Sequence, residues 1–206
     1  MIDFQFVSPT KIFFGHKKEN EIGKILRDYG YHKVLMIYGQ GSIKKTGLYD
    51  VIVSRLKETG IEYLELSGIP ANPDVSFVRK GVAILKKEPV DALLAIGGGS
   101  VIDVAKSIGD SYFYDGGPLD FNLGKVSPKA CLPIGVVLTI AAAGSETSPS
   151  CVISDYKTGF KGGFNSDLHR CQFAVEDPEL LLTLPPYQMG AGIIDIMMHS
   201  MERYFD

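Results

Sequence analysis

A parallel β-sheet covered by helices on both faces is the α/β fold this sequence predicts. Three observations predict it. Apolar strand-like runs alternate with amphipathic helical segments along the first 112 residues. The runs "KVLMIY" (33–38) and "DALLAIG" (91–97) are apolar throughout rather than alternating, as strands buried on both faces must be. Each of these strands also empties into glycine, at Gly39-Gln40-Gly41 and at Gly97-Gly98-Gly99.

The elements follow in order. Residues 3–7 and 11–14 are β-prone aromatic runs joined by Ser8-Pro9-Thr10 and are expected to form a strand pair or an arm. Ile22, Ile25 and Leu26 have helical spacing within 17–29, and Gly30 stops that helix. After the strand at 33–38 comes an amphipathic helix over 48–59, closed by Gly60. "IEYLEL" (61–66) alternates as a strand, and Asp74 is placed to cap a helix over 75–87. The strand at 91–97 leads into a helix over 100–112. Beyond Pro118 the pattern loosens. Strands are expected at 133–140, in "SCVISD" and in "CQFAVED", the last two separated by a polar segment at 156–170. Pro185-Pro186 then suits a helix start for the Met- and Ile-rich run 187–205. The expected division is an α/β domain over 1–184 and the start of a second, helical domain over 185–206.

The 206 residues are 45% hydrophobic and 22% charged with net charge −3, an ordinary soluble balance. Nothing is basic enough for a nucleic-acid footprint, and no apolar run approaches the ~20 residues of a membrane span. Cys131, Cys151 and Cys171 are widely spaced with no CxxC pair, which argues against a disulfide framework or a thiolate zinc site. Buried or free thiols in a reducing cytosol, with no signal peptide, are the expectation.

Between a strand and a helix, glycines let backbone N–H groups close around a phosphate, and the helix dipole adds about half a positive charge there. Ser100 adds a hydroxyl. The alternative is a plain tight turn. The stretch is neither GxGxxG, since Ile102 stands where glycine is needed, nor a P-loop. By itself it indicates phosphate or pyrophosphate. Asp103 and Lys106 have the i, i+3 spacing of a surface pair worth tenths of a kcal/mol. Asp195 and His199, four apart, project from one helix face and together suit iron or zinc. Two ligands fall short of a site, and a hydrogen-bonded or solvated couple is the plainer reading. His16, His32 and His169 have no partner near them in sequence and are given no role.

Five stretches in order carry a resemblance. GGGS-x-x-D-x-A-K (97–106) is similar to the signature loop of the iron-containing (group III) alcohol dehydrogenases. "GSET" (144–147), "DPELLLTLPP" (177–186) and "AGIIDIMMHSMERY" (191–204) resemble the family's turn, interdomain segment and metal helix. "IYGQGSIKKTGLYD" (37–50) resembles the butanol-dehydrogenase and aldehyde-reductase branch.

The resemblance implies a dinucleotide-binding domain followed by a helical one, with the active site in the cleft between. Gly97, Gly98, Gly99 and Ser100 would hold the pyrophosphate, with Asp103 in the same cofactor loop. Gly39, Gln40 and Ser42 would lie near the adenosine ribose. Thr139 and Thr147 would line the cleft, and Leu180 or a neighbour would pack on the adenosine. Asp195 and His199 would be two ligands of iron or zinc; the family's two later histidines have no counterpart after His199. The implied reaction is hydride transfer between NAD or NADP and a small primary alcohol or aldehyde; the alternative is a catalytically incomplete nucleotide-binding fragment. With no acid at 38–42 and with Lys44 and Lys45 close by, the cofactor is expected to be NADP rather than NAD. A cytoplasmic homodimer is expected.

Overall fold

The structure is a computed structural model that describes residue 3 and residues 7–205. Its elements are β1 (Lys11–Phe14), α1 (Ile22–Asp28), β2 (Lys33–Gly39), α2 (Ser42–Lys45), α3 (Leu48–Glu58), β3 (Glu62–Ile69), α4 (Val75–Lys87), β4 (Ala92–Gly97), α5 (Gly99–Ser111), α6 (Leu119–Asn122), β5 (Ile134–Leu138), β6 (Ser150–Asp155), β7 (Phe160–Asn165), β8 (Phe173–Glu176), α7 (Pro178–Leu181) and α8 (Pro186–Phe205). Six strands form one parallel sheet in the order β1-β8-β5-β4-β2-β3. The strands β6 and β7 form a separate antiparallel pair.

Alternation along the central strands feeds two cores. Leu35, Ile37, Leu93, Ala95 and Val136 pack one sheet face on α4 and α5. Val34, Met36, Leu94, Ile96 and Val137 pack the other on α1 and α3. Among the strands, β2 and β4 are wholly buried except for Lys33 and Gly39 at the two ends of β2. That is why both read as continuous apolar runs.

The strand order also locates the site. The chain leaves β2 towards β3 on one side and leaves β4 towards β5 on the other. The sheet therefore has its topological switch point between β2 and β4, and both glycine turns stand at the carboxyl ends of these two strands. Open α/β sheets bind ligands in the crevice at such a point.

Three expectations change. The run 11–14 is not half of a hairpin: β1 joins the sheet edge in parallel with β8, while residues 4–6 lie outside the described residues. The polar segment 156–170 contains a strand, β7, whose two glycines at 162 and 163 hide its β character. The hairpin it makes with β6 covers α5, so α5 has little surface left. Ten of its residues, Val101, Ile102 and Val104–Ser111, are buried. Asp103 and Lys106 accordingly form no surface pair: Lys106 is fully buried.

The last helix, α8, stands apart in character. Gly192 is its single buried residue, set where a Cβ would lie 2.7 Å from the Ala141 carbonyl oxygen. Ile193, Ile194, Met197, Met198 and Met201 are exposed. Among the described residues no helix is long and apolar enough to cross a membrane.

Candidate functional site

A cavity of about 520 Å³ lies beyond the end of β4. Gly99 and Ser100 of the α5 N-terminus line one wall, Asp195 and His199 of α8 another, and Ile140, Gly144 and Ser145 a third. Among the described residues, the N–H groups of Gly98, Gly99 and Ser100 donate to no protein acceptor. Three free donors at the start of a 13-residue helix make an anion-binding end. They fit a pyrophosphate.

The three glycines differ in what they do. None has a positive φ. A Cβ on Gly97 would stand 2.6 Å from the Val101 side chain, and one on Gly98 would stand 2.2 Å from Ile140 Cγ2. Packing inside the protein therefore excludes side chains at both. At Gly99 the nearest atom is Ser145 Cβ at 3.8 Å, an ordinary contact, so this glycine alone is left without a reason in the protein itself.

Asp103 lines the same cavity, well buried. Its carboxylate accepts from Ser145 Oγ (3.0 Å) and from the Val152 N–H (3.3 Å). Burial raises its pKa, and the Lys106 charge and these donors oppose the rise. Two residues not singled out in the sequence join this wall: Lys161 on β7 donates to Asn72 Oδ1 at 2.8 Å, and both face the cavity. Lys161 was missed because β7 was.

A narrow slot of about 100 Å³ gathers Ser42, Thr139 and Leu180 with Ile43 and Leu184. Sequence separations of up to 142 positions, Ser42 to Leu184, collapse here because α2, the end of β5 and α7 meet beyond the carboxyl ends of the sheet strands. Gly39 and Gln40 lie at the end of β2 beside it but line neither cavity. Thr147 lies elsewhere, in a third cavity of about 450 Å³ that it shares with His199 and Arg203. Its hydroxyl donates to the Gly144 carbonyl oxygen (3.3 Å), which ties it to its own turn. Lys44 sits over the rings of Tyr38 and Tyr49, 5.4 and 4.5 Å from their centroids, and both tyrosine hydroxyls donate to Glu65.

Asp195 Oδ1 and His199 Nε2 are 3.7 Å apart, and both side chains are about half exposed. A carboxylate oxygen and an imidazole nitrogen at that separation suit iron or zinc in their donor chemistry. Glu202 lies 3.7 Å from the other ring nitrogen, Nδ1, which points away, so it does not complete the set.

His32 Nδ1 lies 2.7 Å from Arg27 Nη1, a partner close in sequence that had not been expected, whereas His169 and His16 have partners far along the chain. His169 is fully buried, Nδ1 2.7 Å from Asp110 Oδ2 and Nε2 2.6 Å from the Pro149 carbonyl oxygen. His16 meets Glu179 at 3.2 Å beside Asp177, whose two oxygens accept from the Lys17 and Glu179 N–H groups. Both arrangements hold the fold together.

The sequence profile of the iron-containing alcohol dehydrogenase family matches residues 9–178. The chain belongs to that family. It is 43% identical over 205 residues to the probable NADH-dependent butanol dehydrogenase 1 of Bacillus subtilis, covering 100% of this chain and 53% of that protein. It is 38% identical to the NADPH-dependent aldehyde reductase YqhD of Escherichia coli, covering 99% of this chain and 52% of the reductase. The crystal structure of NADH-dependent butanol dehydrogenase A from Thermotoga maritima superposes with a TM-score of 0.97 at 43% identity, covering 99% of this chain and 51% of that one. This member of the iron-containing family thus spans about half the length of the curated relatives it matches.

Proposed function

We propose that this chain is the dinucleotide-binding half of an NAD(P)-dependent, metal-dependent alcohol dehydrogenase acting on small primary alcohols and aldehydes. One observation carries the reading: a single cavity has the free N–H groups of the glycine turn on one wall and the Asp195–His199 pair on another. The glycine turn would hold the pyrophosphate, Gly99 admitting its closest approach. Ser42, Thr139 and Leu180 would take the adenosine end, with Gly39 and Gln40 beside the ribose. Asp195 and His199 would hold iron or zinc. When bound, the metal supplies a Lewis acid at the substrate oxygen and the nicotinamide supplies the hydride acceptor or donor.

The relatives carry names of both cofactor types; Lys44 and Lys45 are both exposed beside the turn, and Lys44 stands over two tyrosine rings. NADP remains the expectation. A homodimer in the cytoplasm fits the same reading, as do the free thiols. Residues 185–206 are read as the opening of the helical domain, supported by a helix with one buried residue.

The test is Gly99→Ala. Its methyl meets only an ordinary contact, so stability should hold while NADH and NADPH affinity falls at least tenfold, about 1.4 kcal/mol. Unchanged affinity for both cofactors would defeat the pyrophosphate assignment. A second reading, a nucleotide-binding chain without turnover, is favoured by one fact: among the described residues no third donor reaches the ligand distance of Asp195 and His199.

A further inference from the structure

Lys106 is the least ordinary side chain in the molecule. It is fully buried on α5, and no salt bridge to it occurs among the described residues. Its Nζ instead donates to three main-chain carbonyls, those of Ser145 (2.8 Å), Ser148 (2.9 Å) and Ser150 (2.8 Å), with Ser145 Oγ at 3.4 Å. Three N–H donors meet three carbonyl acceptors. Burying an ammonium is expensive unless every donor is satisfied, so this cage is one that sequence and fold both sustain.

The Ser150 carbonyl opens β6, and those of Ser145 and Ser148 belong to the segment without helix or strand between β5 and β6. Its Gly144, Ser145 and Glu146 line the cavity with the glycine turn, and its Thr147 and Ser148 line the neighbouring one. One turn back on α5, Asp103 takes complementary groups, the Ser145 hydroxyl of that segment and the Val152 N–H of β6. The acid collects donors and the amine collects acceptors. Together they fold the segment back over the helix whose N-terminus carries the free N–H groups.

We propose that Lys106 is a positioning residue of the cofactor cleft: its caged ammonium pins residues 144–150 in the course that closes the cavity over the glycine turn. The proposal rests on the cofactor reading of that cavity. Lys106 touches no ligand itself and acts through the main chain of Ser145, Ser148 and Ser150.

The experiment uses Lys106→Met, which keeps the length and removes the charge, and Lys106→Ala, which opens a slot for an added amine. Amide hydrogen exchange over 144–150 should accelerate in both, while β2, β4 and β5 keep their protection. NADH and NADPH dissociation constants should rise at least tenfold. In Lys106→Ala, n-propylammonium, which replaces the missing CH₂ groups and ammonium, should restore both readouts, and branched tert-butylammonium should not. Normal exchange and normal affinity in both variants would overturn the proposal, as would lost affinity that no amine restores. A parent protein that binds neither dinucleotide would instead defeat the cofactor reading, and the exchange rates would still decide the pin. Should Lys106→Met fail to fold, refolding of Lys106→Ala with and without n-propylammonium decides: recovery supports the pin, and no recovery overturns it.

Discussion

Glu19 is 7% exposed, and among the described residues its Oε2 has no hydrogen-bond partner, although Asn20 Nδ2 reaches Oε1 at 2.9 Å. Burial raises its pKa, with Asp177 and Glu179 adding to the rise. A carboxyl raised in the folded state favours folding while it is neutral and loses that contribution as pH climbs through its folded pKa. Glu19→Gln imitates the neutral form and can donate towards Asp177. It should stabilise the fold at pH 8 by on the order of 1 kcal/mol, read as a raised melting temperature, with the gain shrinking as pH falls. Thermal melts of both proteins at pH 5 and pH 8 check this; an equal or larger gain at pH 5 would refute it. The thiols are a second case. Burial pushes Cys171 up to about 12 and raises Cys151 well above the usual thiol value. Both should resist iodoacetamide at pH 8 in the native protein and react on unfolding, as mass spectrometry of labelled peptides would show. The sequence left buried or free thiols as the expectation, and the fold buries Cys151 and Cys171.

At the scale of elements, legibility tracked how each strand or helix is covered. The strands β2 and β4 were plain because both of their faces are buried, and Asp74 was plain because its carboxylate accepts from the Ser76 N–H as a helix cap should. The strand β7 was not, since "FKGGFN" carries two glycines and its apolar residues are spaced for a hairpin edge. That one omission propagated: without β7, α5 looked amphipathic and exposed, and Asp103 and Lys106 looked like a surface pair. Gly98 was legible as special, and the fold adds a neighbour that the sequence did not show: a Cβ there would stand 2.2 Å from Ile140 Cγ2. The helix α8 offers the sharpest element-level test. Gly192 is where it touches the α/β body, and a methyl there would press 2.7 Å from the Ala141 oxygen. Gly192→Ala should lift α8 and raise proteolysis within 187–205, while amide exchange in the sheet stays unchanged. Equal cleavage rates in parent and variant would show that this contact does not hold the helix.

At the scale of the whole molecule, the switch point between β2 and β4 decides where chemistry is possible, and α8 decides which chemistry. The sheet brings the free N–H groups to the crevice, and the Gly192 contact brings Asp195 and His199 to the same cavity. What this arrangement lacks among the described residues is enclosure. A catalytic metal needs about three protein ligands with supporting contacts behind them. Here two half-exposed donors share one helix face, and the third nearby acid addresses the wrong ring nitrogen. The 206-residue chain should therefore hold iron or zinc weakly, retaining well under one equivalent after dialysis, and should oxidise no short alcohol. His199→Ala should abolish even the weak binding while leaving NADH and NADPH affinity intact, because the glycine turn draws on α5 and not on α8. Elemental analysis paired with cofactor titration reads both halves. One tightly held equivalent of metal in the parent would mean that further ligands reach the pair from outside the described residues. Loss of dinucleotide affinity in His199→Ala would mean that the two walls of the cavity are not the independent devices their separate helices suggest.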